Sequence, residues 1–153
     1  MSGRGVARLA LAALLAAAWA GASCAAAAQF LWIRNVWRQD AFLNIEPGYV
    51  TATDVMDGWQ SAQWIFIDAP NGYAWIQNRW TGCYLHIERG KVECSTDVQR
   101  GWHSAQWSGE AASGKSFRLR NRWKNCYLNI ERGPVACTRV AAGWQSALWT
   151  VED

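Results

Sequence analysis

The chain is expected to be all-β, built from three repeats of about 43 residues with about four strands each. Three observations lead there. A tryptophan-rich heptad recurs as GWQSAQW at Gly58, GWHSAQW at Gly101 and GWQSALW at Gly143, at offsets of 43 and 42 residues. The segments between the copies alternate apolar and polar residues with a period of two, as strands do. Beyond the leader, no segment holds a 3.6-residue apolar period for the length of a helix.

The first 28 residues read as a secretory signal peptide. Arg4 and Arg8 supply the basic start, LALAALLAAAWA (Leu9 to Ala20) the apolar stretch, and Ala26-Ala27-Ala28 a cleavage site before Gln29. The stretch is too short to span a bilayer. Gly21 to Cys24 (GASC) offers an alternative, a bacterial lipoprotein signal that would lipidate Cys24 and give the domain its one route to a membrane. Otherwise the chain is expected in a secreted or periplasmic location. Residues 29–153 are expected to form one domain, with repeats at about 30–70, 71–114 and 115–153. Without Arg4 and Arg8, 13 basic residues face 12 acidic ones, so the formal net charge falls from +3 to +1. No basic stripe tracks a phosphate backbone, which argues against a nucleic-acid partner. A monomer is compatible with the chain.

Within a repeat, the first strand is WIRNVW, WIQNRW or RLRNRW, starting at Trp32, Trp75 and Arg118. The second is FLNIE, YLHIE or YLNIE. In repeat 2, Cys83, Leu85 and Ile87 fall on one face, and Tyr84, His86 and Glu88 on the other. An Arg-Gly or Pro-Gly turn then leads into a third strand, so the two strands read as a hairpin. Pairing Leu85 with Val92 sets Cys83 opposite Cys94, and the same register sets Cys126 opposite Cys137. In repeat 1 both places hold alanine, Ala41 and Ala52. Joint loss of two cysteines is what a bridge within each repeat predicts. Of three connectivities, Cys83–Cys94 and Cys126–Cys137 is the expected one.

Several runs resemble the ricin B-type lectins: the (I/L)-x-N triplets at Ile33–Asn35, Ile76–Asn78 and Leu119–Asn121, the (F/Y)-L-x-I strand, and a Trp closing each repeat. The resemblance covers all of residues 29–153. It implies a β-trefoil, a six-stranded barrel capped by three hairpins, that binds sugars without catalysis and needs no cofactor. The sequence departs from the family in two places. Ala62, Ala105 and Ala147 stand where Gln-x-Trp would put its glutamine. The aspartate that grips sugar is replaced by Asn44, His86 and Asn129.

Three sets of tryptophans are then weighed. Trp64, Trp107 and Trp149 close the repeats in strands and are expected in the barrel core. Trp59, Trp102 and Trp144 follow a glycine, expected to supply a positive φ at a hairpin tip, and are read as packing ahead of binding. Trp37, Trp80 and Trp123 end the first strand. A flat indole there could stack on a sugar face, flanked by outward Asn44 with Glu46, His86 with Glu88, and Asn129 with Glu131. The competing reading packs these indoles over the hairpin. His86 and His103 replace Asn or Gln of sister repeats, which favours hydrogen bonding over metal or acid–base work. Ser61, Ser104 and Ser146 recur with the repeat and read as structural. The leading function is therefore a non-catalytic carbohydrate-binding module with up to three weak sites. The alternatives are an inhibitor of a secreted hydrolase, acting through Asp68–Gly72 or Gly109–Lys115, and a structural or adhesive envelope protein.

Overall fold

The computed structural model describes residues 29–153; the signal-peptide and Cys24 readings fall on residues outside them. Twelve strands follow in order: β1 (Leu31–Asn35), β2 (Phe42–Asn44), β3 (Thr51–Thr53), β4 (Gln63–Asp68), β5 (Ala74–Asn78), β6 (Tyr84–His86), β7 (Glu93–Ser95), β8 (Trp107–Ala111), β9 (Phe117–Asn121), β10 (Tyr127–Asn129), β11 (Ala136–Thr138) and β12 (Trp149–Glu152). All pairings are antiparallel. β1 pairs with β4, β4 with β5, β5 with β8, β8 with β9, β9 with β12, and β12 returns to β1. These six strands form a closed barrel without a free edge. The hairpins β2–β3, β6–β7 and β10–β11 hang from β1, β5 and β9 and cap it. The fold is a β-trefoil, and among the described residues no helix is long and apolar enough to cross a membrane.

Period-two alternation decides which side chains fill the barrel. In β5 Ala74, Ile76 and Asn78 point inward, while Trp75 and Gln77 stay half-buried outside. Trp64, Trp107 and Trp149 are fully buried, as expected. Each donates its indole Nε1–H to the carbonyl of the hairpin leucine of its own repeat: Leu43 at 2.8 Å, Leu85 at 2.9 Å and Leu128 at 2.9 Å. One side chain thus fills the core and ties the barrel to its cap.

The disulfides Cys83–Cys94 and Cys126–Cys137 are present, with Cα atoms 5.2 Å apart in each. The expected hairpin register is not. Leu85 faces Cys94, Leu128 faces Cys137 and Leu43 faces Ala52, a shift of two residues from the Val92, Val135 and Val50 pairings. A shift of two keeps every side chain on its face, so alternation alone could not detect it. Each bridge is therefore diagonal across its hairpin. Replacing Cys83 and Cys94 by alanine, the pair found in repeat 1, is expected to cost about 2–3 kcal/mol in urea unfolding. An unchanged midpoint would remove the bridge from the account of stability.

The heptads are not hairpin tips. Gln60–Ala62, His103–Ala105 and Gln145–Ala147 each form one turn of 3₁₀ helix, entered from an extended Trp59, Trp102 or Trp144. Gly58 has φ +86°, but Gly101 and Gly143 are not in the left-handed region, so only repeat 1 uses the glycine as expected. Of the two inter-repeat segments, Asp68–Gly72 is a tight turn closed by the Ala69 amide on the Tyr73 carbonyl at 2.9 Å. Gly109–Lys115 begins inside β8, and its remainder is closed by the Ala112 amide on the Ser116 carbonyl at 2.9 Å.

Candidate functional site

The site begins with three buried asparagines, Asn35, Asn78 and Asn121, at the ends of β1, β5 and β9. Each amide group does two things. Its Oδ1 accepts the backbone N–H of Trp37, Trp80 or Trp123, at 2.9 Å in all three cases. Its Nδ2 donates to the carbonyl of the 3₁₀ serine of the preceding repeat: Ser146 at 2.9 Å, Ser61 at 2.8 Å and Ser104 at 2.8 Å. The three locks run head to tail around the barrel, so repeat 3 closes on repeat 1. The serine hydroxyls donate to Glu46, Glu88 and Glu131, tying each hairpin turn to its own 3₁₀ turn. These serines are structural.

The lock turns the chain outward just after the strand. Trp37, Trp80 and Trp123 are 48%, 51% and 44% exposed, against 0–1% for the closing tryptophans. Lys124 Nζ lies 4.2 Å from the centre of the Trp123 ring. Trp59, Trp102 and Trp144 are half-buried.

Asn44, His86 and Asn129 do not point outward; all three are buried. Their polar atoms are spent inside the hairpins. Asn44 Nδ2 donates to the Phe42 carbonyl and to Thr53 Oγ1, and its Oδ1 accepts the Glu46 amide at 3.0 Å. Asn129 repeats this with Tyr127, Thr138 and Glu131. These short strands meet the barrel on one face and the 3₁₀ turn on the other, so alternation does not yield a wet face. The carboxylates of Glu46, Glu88 and Glu131 belong to exposed residues.

His86 makes the same turn with an imidazole. Its Nδ1 accepts the Glu88 amide at 3.1 Å, so the ring proton sits on Nε2, 2.7 Å from Ser95 Oγ. Burial holds its pKa below the ordinary 6.5, against the opposing pull of Glu93, Glu88 and Asp97. Above the ordinary value both folded and unfolded chains are neutral there, and the full stability is present. On acidification the unfolded chain takes up the proton first, so stability falls from pH 6.5 down through the folded pKa. Thermal melts from pH 7 to pH 5 are expected to slope less for His86→Asn than for the parent. Parallel slopes would contradict this.

Above the hairpins lies a cavity of about 830 Å³ lined from all three repeats. Val50, Val92 and Val135 line it, together with Cys83, Cys94 and Cys137 of the two disulfides. Trp80 and the exposed Tyr49 line it too, with the polar residues Thr81, Lys91, Glu93 and Thr138. Sequence reasoning found Trp80 but missed Tyr49, Lys91 and the valines. A signal was present: the residue after the hairpin glycine is Tyr49, Lys91 or Pro134, a break in symmetry within an otherwise faithful repeat.

No protein-family model matches the chain, and no curated protein does. Among solved structures it is similar to the GlcNAcα1-4Gal-releasing endo-β-galactosidase from Clostridium perfringens, at 30% identity and a TM-score of 0.73, over 80% of this chain and 32% of the enzyme. The chain thus spans about a third of that enzyme's length. It is similar to ThreeFoil, a designed 3-fold symmetric protein, at 17% identity and a TM-score of 0.71, over 81% of this chain and 98% of the design. SeviL, solved bound to the asialo-GM1 saccharide, matches at 20% identity and a TM-score of 0.64, over 83% of this chain and 98% of SeviL. Its repeat and these likenesses show a β-trefoil, and they are consistent with a divergent ricin B-type lectin-like domain that lacks the strict Gln-x-Trp closure.

Proposed function

We propose that residues 29–153 form an exported, non-catalytic carbohydrate-binding module. The observation that carries this reading is the set of three exposed indoles at equivalent corners of a closed barrel, each on a residue whose backbone amide is held by a buried asparagine. A sugar C–H face stacks on such a plate, and a backbone already fixed loses little entropy on binding. The polar contacts come from Thr81, Lys91, Glu93 and Thr138 around Trp80, because Asn44, His86 and Asn129 are engaged inside the hairpins. SeviL, solved with a bound saccharide, and the galactoside-cleaving Clostridium perfringens enzyme support the same ligand class. The two disulfides fit an oxidising compartment, secreted or periplasmic. Three plates on one rigid body would act together on a ligand that presents sugars at matching spacing.

A glycan array tests this with the mature domain, Trp80→Ala and Trp123→Ala. Binding by the parent and its loss in Trp80→Ala are expected. A parent that binds no glycan sinks the reading, and a Trp80→Ala variant that binds as the parent removes Trp80 from the site.

A further inference from the structure

The three repeats differ on the outer wall of the barrel. Just before the buried asparagine stand Arg34, Gln77 and Arg120; three residues after the closing tryptophan stand Glu152, Ile67 and Glu110. Two of these places are filled by an ion pair. Arg34 meets Glu152 at 2.9 Å and lies over the Phe42 ring, 5.0 Å from its centre. Arg120 meets Glu110 at 3.3 Å, and Glu110 also accepts the Tyr127 hydroxyl at 3.0 Å. Repeat 2 has neither charge. Gln77 donates instead to the Gly82 carbonyl at 3.0 Å, and Ile67, opposite Trp75 in the ladder, carries no charge.

A cavity of about 390 Å³ lies at that place. Half-buried Trp75 and Tyr84 line it with Ile67 and Val98, and exposed Asp68, Gln99 and Arg100 stand at its rim. The rim is as specific to repeat 2 as the gap. Where it has Gln99 and Arg100, repeat 1 has Met56 and Asp57 and repeat 3 has Ala141 and Ala142. In repeat 3 the counterpart of Trp75 is Arg118, whose guanidinium donates across to the Ala142 carbonyl. The repeat-2 loop is held by buried Gln106, which donates to the Arg100 carbonyl at 3.2 Å. Neither Asp68 nor Arg100 takes part in the ion pairs among the described residues.

We propose that this cavity is a binding site for one pyranose unit, present in repeat 2 alone and separate from the exposed indoles. The proposal rests on the carbohydrate-binding reading and adds a place and a stoichiometry of one to it. The volume suits a single ring with room for water. Two aromatic side chains offer apolar faces to ring C–H groups. The Asp68 carboxylate only accepts and the Arg100 guanidinium only donates, so together they match hydroxyls that do both.

The test is a titration of the isotopically labelled mature domain with the methyl glycosides of galactose, N-acetylglucosamine, glucose and mannose, following indole N–H signals by NMR. One glycoside is expected to move the Trp75 signal along a one-to-one isotherm. Asp68→Ala and Arg100→Ala should weaken that response about tenfold or more without changing the melting temperature. The double variant I67E/Q77R rebuilds the ion pair of the sister repeats; it should abolish the response and still melt as a folded domain. If Trp80 or Trp123 signals move while Trp75 stays still, or if the Trp75 response survives the rim and ion-pair variants, the proposed site is overturned and the exposed indoles keep the binding. If no glycoside moves any indole, the carbohydrate reading falls together with the site.

Discussion

Replacing Trp107 by alanine is expected to lower the unfolding free energy by about 3–5 kcal/mol. The side chain is almost wholly enclosed, in contact with the barrel on every side. Its loss removes the largest apolar area a residue can bury and leaves a cavity on the barrel axis. It also strips the Leu85 carbonyl of the indole donor at 2.9 Å, at a point where the hairpin cannot reach water. For a domain of this size the melting temperature should drop by about 10–20 °C. Trp107→Phe keeps part of the volume and loses the donor, so it should fall between the two, at about 1–3 kcal/mol. Urea unfolding measures both. An alanine variant within about 1 kcal/mol of the parent would mean that the closing tryptophan does not anchor the core.

Asn78→Ala is expected to cost about 2–4 kcal/mol, a large effect for an amide that fills little space. Its two bonds serve different repeats. Without them the Ser61 carbonyl loses a donor and the Trp80 amide an acceptor, both next to the barrel. The Trp80 turn then has less to hold it outward, so its backbone amide should exchange with solvent about tenfold faster or more, beyond the change at distant core amides. Asn78→Asp separates the two roles. It keeps an acceptor for Trp80 but turns an oxygen toward the Ser61 carbonyl and buries a charge, so it should be at least as destabilising as alanine. Equal exchange at Trp80 in the parent and the alanine variant would remove the asparagine from the positioning of the plate.

The residues legible in the sequence are those whose role repeats. Trp64, Trp107 and Trp149 recur at a fixed spacing after a small alanine, and a recurring Trp in a strand has one place to go in a closed barrel. The cysteines were legible because they are lost together in repeat 1, and the bridge was right even though the register was not. A slip of two residues keeps every face, and a diagonal pair still lies within reach of a bridge.

Asn44, His86 and Asn129 went the other way. Alternation put them on a polar face, but strands of three residues meet the barrel and the 3₁₀ turn at once, and the polar atoms close the turn internally. The tertiary structure also separated three tryptophan sets of equal composition into buried, half-buried and exposed. The exposed set follows the asparagine lock, whose bond to the Trp amide is local but whose second bond reaches the preceding repeat.

The sequence by itself therefore determined the threefold all-β plan, the barrel tryptophans and the two bridges, because these follow from local period and from symmetry. Only the tertiary structure decided which polar groups are free for a ligand, where the hairpins meet around a cavity, and where repeat 2 departs from its sisters. The hairpins' common cavity depends on side chains brought together across repeats, and the polar groups are engaged by partners two and nine residues away that face them only once each hairpin has closed.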